Sequence, residues 1–199
     1  MIGSTSWVIP GTYYENALLL EGLVDFVELL VYTWDEDTKT LLFNEMDKLL
    51  QLDLSYTVHL PMDRLDNVIR AYNFFEEARF PVINYVLHPI KGWRRTLGEK
   101  VALENLKELI EPHNRMVFDV GHHFLGKKFP AHLKEAIVEI HAMGVIDGRD
   151  HLPLDRETAA FIKGFMGDLI TENVLINFEV FDLEDLKNSL KVWSDTFVE

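Results

Sequence analysis

The stretch Met116-Val117-Phe118-Asp119-Val120-Gly121-His122-His123 decides how the rest of the chain is read. Four of its first five residues are apolar, a run too short to make a helix of its own. It breaks at Gly121 and then delivers side chains of the kind that bind metals. A parallel strand buried on both faces ends in this way where it reaches an active-site mouth. Asp119 and His122 stand at an Asp-x-x-His spacing, one on the strand end and one in the turn that follows.

The same device recurs along the chain. Apolar runs at 2–9, 24–32, 54–60, 82–88, 100–104, 116–120, 136–141 and 174–180 read as strands, several of them stopped by Pro10-Gly11, Pro61 or Pro89. Helical patterns fall between them at 12–21, 38–51, 64–79, 105–111, 128–134 and 156–172, with a closing helix from Asp182 to about 194. Asp63 and Asp155 are suited to cap the helices that follow them. The strands are mostly apolar rather than strictly alternating, which places helices on both faces of a parallel sheet. Eight such units predict an α/β fold of the (β/α)8 TIM-barrel type. A single domain over 1–199 needs short loops to fit it, because 199 residues is brief for this fold. An open doubly wound sheet is the alternative, but no Gly-x-Gly-x-x-Gly follows the first strand.

Composition narrows the function. There is no cysteine, which excludes disulfides, thiolate zinc sites and a cysteine nucleophile. The opening Met-Ile-Gly-Ser-Thr-Ser shows no signal-peptide pattern and no apolar run has membrane-spanning length, so the cytoplasm is the expected compartment. Nineteen basic residues stand against thirty-three acidic ones, a formal net charge of −14. A protein that binds nucleic acid must displace counterions from phosphates, so this balance argues against such a partner and for a small-molecule substrate. The charge itself serves solubility, and metal cations would offset part of it.

The histidines are not scattered. Of eight, His59, His88, His122, His123 and His141 close a predicted strand or follow it within a few residues, and His151 lies in the loop after the seventh. His113 and His132 fall elsewhere and read as surface residues. Glu104 closes the fifth strand and Glu179 lies near the end of the eighth, both in apolar surroundings where a lone carboxylate is expensive. Strand C-termini of a barrel converge on one face. Any one such histidine is commonly a hydrogen-bonded core residue. Eight ligand-type residues on six strand ends instead predict a metal centre, of zinc first, or of manganese, iron or cobalt.

These residues resemble the xylose isomerase-like barrel superfamily, in its endonuclease IV-like branch. The matching pieces are His59-Leu60-Pro61, His88-Pro89, Leu103-Glu104-Asn105, Asp119-x-x-His122, His141, Asp150-His151-Leu-Pro-Leu and Glu179, in the family's order and across nearly the whole barrel. The resemblance implies a three-zinc cluster: His59, His88 and Glu104 at the first ion, Glu104, Asp119, His141 and Glu179 at the second, and His122, Asp150 and His151 at the third. One departure weakens the third site: the family pattern is Asp-x-His, whereas Asp150 and His151 are adjacent, and Asp147 is a rival. A narrower resemblance, to the CbiR family of cobamide-remodelling phosphodiesterases, rests on Ile2–Pro10, Val27-Glu28-Leu29-Leu30 and Tyr56–Pro61. It implies an adenosylated cobamide as substrate.

Around the mouth, Lys91, Arg94 and Arg95 follow the fourth strand and Arg149 adjoins His151, so all four are candidates to hold a substrate phosphate. Their plain alternative is a solvated loop. Trp7, Tyr32 and Trp34 are candidates to stack on a flat group, with core packing the simpler role for Trp7. Glu28, mid-strand, is either a buried partner or a substrate contact. The expected activity is hydrolysis of a small phosphodiester by metal-activated water, with Glu104 positioning two ions and Glu179 or Asp119 able to accept a proton. A sugar or sugar-phosphate isomerase or epimerase would need only Glu104, Asp119, His141 and Glu179 around one ion. A non-catalytic corrinoid- or metal-binding protein is the third reading. Oligomeric state stays open.

Overall fold

The computed structural model describes residues 1–170 and 173–197. Eight parallel strands close into a barrel: β1 (Ile2–Thr5), β2 (Phe26–Leu30), β3 (Ser55–His59), β4 (Val82–Leu87), β5 (Val101–Glu104), β6 (Met116–Asp119), β7 (Ile137–Ala142) and β10 (Leu175–Phe178). The order around the barrel is β1-β10-β7-β6-β5-β4-β3-β2, so each strand lies beside its predecessor among barrel strands and the last meets the first. The remaining two, β8 (Gly144–Ile146) and β9 (Arg149–Leu152), form an antiparallel hairpin outside the barrel wall.

The helices form where local chemistry supports them. In α1 (Tyr13–Leu20), Thr12 and Glu15 make a reciprocal capping box that satisfies two orphan backbone donors. Asp35 caps α2 (Glu36–Leu49) by accepting from the Thr38 amide. Asp155 caps α5 (Arg156–Met166) through both the amide and the hydroxyl of Thr158, as expected. Asp182 likewise accepts from Glu184 and Asp185 at the start of α6 (Leu183–Phe197). Asp63 does not cap α3 (Leu65–Glu77): Arg64 occupies the cap position, and the Asp63 carboxylate instead holds the Arg64 amide and the Asn67 side chain.

Three further expectations are corrected. Residues 105–111 are not helical. The Asn105 carbonyl lies 2.8 Å from His122 Nδ1 and the Lys107 carbonyl accepts from the Lys127 amide, so neither carbonyl is free for a helical ladder, and the Asn105 side chain ties the segment to the Asp119 backbone. The helix expected at 128–134 is a 3-10 segment, Ala131–Ala136, after Pro130. The long helix expected over 156–172 stops at Met166, where Gly167 turns to φ 55° and a short 3-10 turn follows; its last residues, 171–172, lie outside the described residues.

Two elements were not foreseen. A six-residue helix, α4 (Val120–Leu125), begins directly at the end of β6 with Asp119 as its cap. The β8–β9 hairpin turns at Asp147 and Gly148, whose φ angles of 52° and 76° make the left-handed turn that suits a hairpin. Gly121 lets that hairpin close on the mouth: a Cβ there would stand 2.8 Å from both the Asp150 Cβ and the Met143 sulfur. At the other end of the barrel, the Phe26 ring fills the space where a Gly3 side chain would go.

Candidate metal centre

Parallel pairing sets the mouth in register. Asp119 on β6 pairs with His141 on β7, and His59 ends β3 while Glu104 ends β5. His88 and Glu179 each follow their strand by one residue. His59, Glu104, Asp119, His141 and Glu179 are all buried, and His88, His122 and His151 are partly open.

Glu104 is the hub. Its Oε2 lies 3.3 Å from His59 Nε2 and 3.1 Å from His88 Nε2, and its Oε1 lies 3.2 Å from His122 Nδ1. Beside it, His141 Nδ1 lies 3.2 Å from Glu179 Oε2 and 3.8 Å from Asp119 Oδ2. Tyr32 donates its hydroxyl to the other Glu179 oxygen at 3.2 Å. The His122 amide donates to Asp119 Oδ1, which orients that carboxylate, while His122 Nδ1 lies 2.8 Å from the Asn105 carbonyl. Three groups at the mouth have ligand atoms close enough to surround an ion: His59–His88–Glu104, Glu104–Asp119–His122 and Asp119–His141–Glu179.

The donor set fits a divalent metal. Buried polar atoms ordinarily find partners. Here Asp119 Oδ2 and His141 Nδ1 face one another in the interior with no hydrogen bond. Imidazole nitrogen and carboxylate oxygen together suit zinc and its first-row neighbours. The electrostatics of these side chains agree. Burial opposes charge on Glu104, yet His88 and the imidazoles bonded to it hold the carboxylate well below its ordinary range. His122 is pushed up to about 9, because the Glu104 and Asp119 carboxylates outweigh its burial. Asp119 rises to about 7 through burial and then the nearby Glu104 charge.

The expected third site is not assembled in this way. His122, Asp150 and His151 do not form a group of metal-spaced ligand atoms. Lys107 takes Asp150 Oδ2 at 2.7 Å, and His151 divides itself between Asp150 Oδ1 at 3.2 Å and Glu179 Oε2 at 3.6 Å. Asp147, the rival, is exposed at the hairpin tip. His123 is a core residue: its Nδ1 accepts the Phe129 amide at 2.9 Å, rings of Phe118, Phe161 and Phe165 surround it, and burial lowers it to about 4.

Above the ligands opens a cavity of about 270 Å³, lined by Tyr32, Met62 and Phe181 together with His59, His88, Glu104, His122, His151 and Glu179. A second cleft shares Tyr32 and adds Trp7, Tyr13 and Leu30. The proposed phosphate holders lie outside the lining of the first cavity. Arg94 stacks on Trp93 and is tied to Glu111 and the Pro112 carbonyl; Lys91, Arg95 and Arg149 are exposed. Trp34 packs at a tilt against Phe74 of α3. Sequence reasoning missed Met62, Phe181 and Glu139. Glu139 carried a usable signal, an acid in an apolar run two residues before His141 and so on the same strand face.

A scan against protein-family models finds no match, and neither does a search of the curated proteins. Solved structures do match. A D-tagatose 3-epimerase-like protein superposes with a TM-score of 0.64 at 15% identity, covering 98% of each chain. A xylose isomerase-like TIM barrel/4-hydroxyphenylpyruvate dioxygenase fusion protein gives 0.65 at 12% identity, over 99% of this chain and 43% of that one. SacUVDE gives 0.56 at 12%, over 98% of each. The chain therefore has the (β/α)8 TIM-barrel fold that these proteins share, with a carboxylate–imidazole cluster at the mouth. Identities this low establish the fold and not the reaction.

Proposed function

We propose that this protein is a metal-dependent hydrolase that cleaves a phosphodiester in a small molecule. The observation that carries the reading is the surplus of ligands around Glu104. Asp119, His141 and Glu179 gather ligand atoms for one ion, which with Glu104 would be the four-ligand set of an isomerase, yet His59, His88 and His122 crowd the Glu104 carboxylate as well. Bound divalent ions would lower the pKa of an attacking water and neutralise charge on the leaving oxygen. Glu104 would bridge two of them. His59 and His88 would hold the first, and Asp119, His141 and Glu179 the second. Tyr32 fixes Glu179 from the mouth side, and Glu179 or Asp119 would accept the proton.

A pocket of this size admits a phosphodiester and a flanking group, and the net charge of −14 disfavours a polyanion. The resemblance to the cobamide-remodelling enzymes names the nucleotide loop of an adenosylated cobamide as the first substrate to try; the cytoplasm is the compartment proposed. No helix among the described residues is long and apolar enough to cross a membrane. A second reading, sugar epimerisation at the four-ligand set, has its own support in the epimerase-like structural neighbour.

The two readings separate in one assay. Protein loaded with zinc, manganese or iron is offered adenosylcobamide, a chromogenic phosphodiester and a panel of ketoses. The proposal expects phosphodiester cleavage that is lost in His59→Ala and His88→Ala. Ketose epimerisation that survives both substitutions would replace it.

A further inference from the structure

Barrel interiors of this type are ordinarily filled with branched apolar side chains. Directly beneath the mouth this one is polar. Glu28, Thr57, Asn84, Glu139 and Asn177 are all fully buried there. Thr57, Glu139 and Asn177 lie two residues before His59, His141 and Glu179, hence on the same strand faces one step deeper.

The two glutamates of this layer are treated alike. Glu28 takes the Asn177 amide on Oε1 at 2.9 Å, and Glu139 takes the Asn84 amide on Oε2 at 2.6 Å. Each leaves its second oxygen without a hydrogen bond. Those free oxygens face the same atom: His141 Nε2, at 3.5 Å from Glu28 Oε2 and 3.8 Å from Glu139 Oε1. His141 Nε2 also lacks a partner. The other nitrogen of the ring, Nδ1, is the one turned to Asp119 and Glu179 at the mouth.

An imidazole that binds an ion through Nδ1 keeps its single proton on Nε2, and a buried N–H needs an acceptor. We infer that Glu28 is the positioning residue of His141: it accepts the hydrogen bond from Nε2–H, fixes the tautomer that leaves Nδ1 free for metal, and is itself held by Asn177. The inference rests on the metal reading above. Glu28 is chosen over Glu139 because it is nearer. Its strand also enters from the opposite side of β1 and β10, so that it bridges β2 to β7 across the interior.

The test is zinc affinity of the full chain by chelator competition, for the native protein and for E28Q, E28A and E139Q, with thermal unfolding of each metal-free form. Loss of such an outer partner typically costs about 10–100-fold in metal affinity. E28Q, whose amide oxygen still accepts but carries no charge, belongs at the lower end, and E28A at the upper. E28Q should unfold like the native protein when metal-free, which separates positioning from general damage. In zinc-loaded native protein, nitrogen-15 NMR should show His141 protonated at Nε2, and this signal should be lost in E28A. Native-like affinity in both Glu28 variants, or an equal loss in E139Q, would overturn the inference while leaving the metal centre standing. No zinc binding by the native chain would overturn both.

Discussion

Glu104→Gln should lower turnover by about 10³-fold or more, roughly 4 kcal/mol of transition-state stabilisation, and should remove metal as well. The argument is geometric. Two carboxylate oxygens serve three imidazoles, at 3.1, 3.2 and 3.3 Å. Glutamine offers one oxygen and turns an NH₂ group toward a nitrogen that must itself coordinate. It can complete one ion's shell and cannot bridge two. The barrel should survive the change, because His59 and His122, both raised by the carboxylate, can shed protons once its charge is gone. His132→Ala, exposed and remote from the mouth, is the matched control and should keep both metal and turnover. Elemental analysis and steady-state kinetics check the pair. Retention of full metal and turnover by Glu104→Gln would remove Glu104 from its bridging role.

The second large effect is an inversion of the pH dependence of stability by metal. In the metal-free protein, His122 is raised to about 9 against the opposition of burial by the carboxylates of Glu104 and Asp119. Asp119 is raised to about 7, and Glu139 to about 8, each chiefly by burial and then by a neighbouring carboxylate. All three hold protons more tightly folded than unfolded. Stability must then fall as pH rises through their range. The His122 contribution is complete below about 6.5, its unfolded value, and gone above about 9. Glu104 and Glu179 act oppositely: both are depressed by their histidines despite burial, so their contribution is present above the unfolded carboxylate range and lost in acid. The metal-free protein should be most stable near pH 5–6, by about 5 °C or more over pH 9, taking about 2–4 °C per kcal/mol for a chain of this size. Zinc competes with those same protons, so the stabilisation it brings should grow with pH. Thermal melts from pH 5 to 9, with and without zinc, test this. Two curves that run parallel would contradict it.

The barrel strands were legible because a parallel strand is apolar on both faces, so each run stood out and each acid or histidine at its end was conspicuous. Glu104 and His141 were readable for that reason. The loops were less so. The apolar spacing at 105–111 suggested a helix, but Asn105 is committed to Asp119 across the mouth, a contact between segments that spacing does not show. Asp147-Gly148 is a strong hairpin signal, and recognising it would have placed Asp147 at an exposed tip and Asp150 beside His151. Lys107, within the segment expected to be helical, claims Asp150. Arg94 fitted a phosphate by charge alone, while its actual partner, Glu111, lies seventeen residues on. The polar layer under the mouth is half visible in the sequence: Glu28 stands out, whereas Glu139, two residues before His141, draws no reading of its own.

The central claim is that this mouth holds more than one metal ion around Glu104. Metal content per chain, measured by elemental analysis on untagged protein purified without chelators, tests it most directly. The account predicts two or more equivalents, falling in His59→Ala and His88→Ala. One equivalent, unchanged by those substitutions, would leave the four-ligand set alone and contradict it.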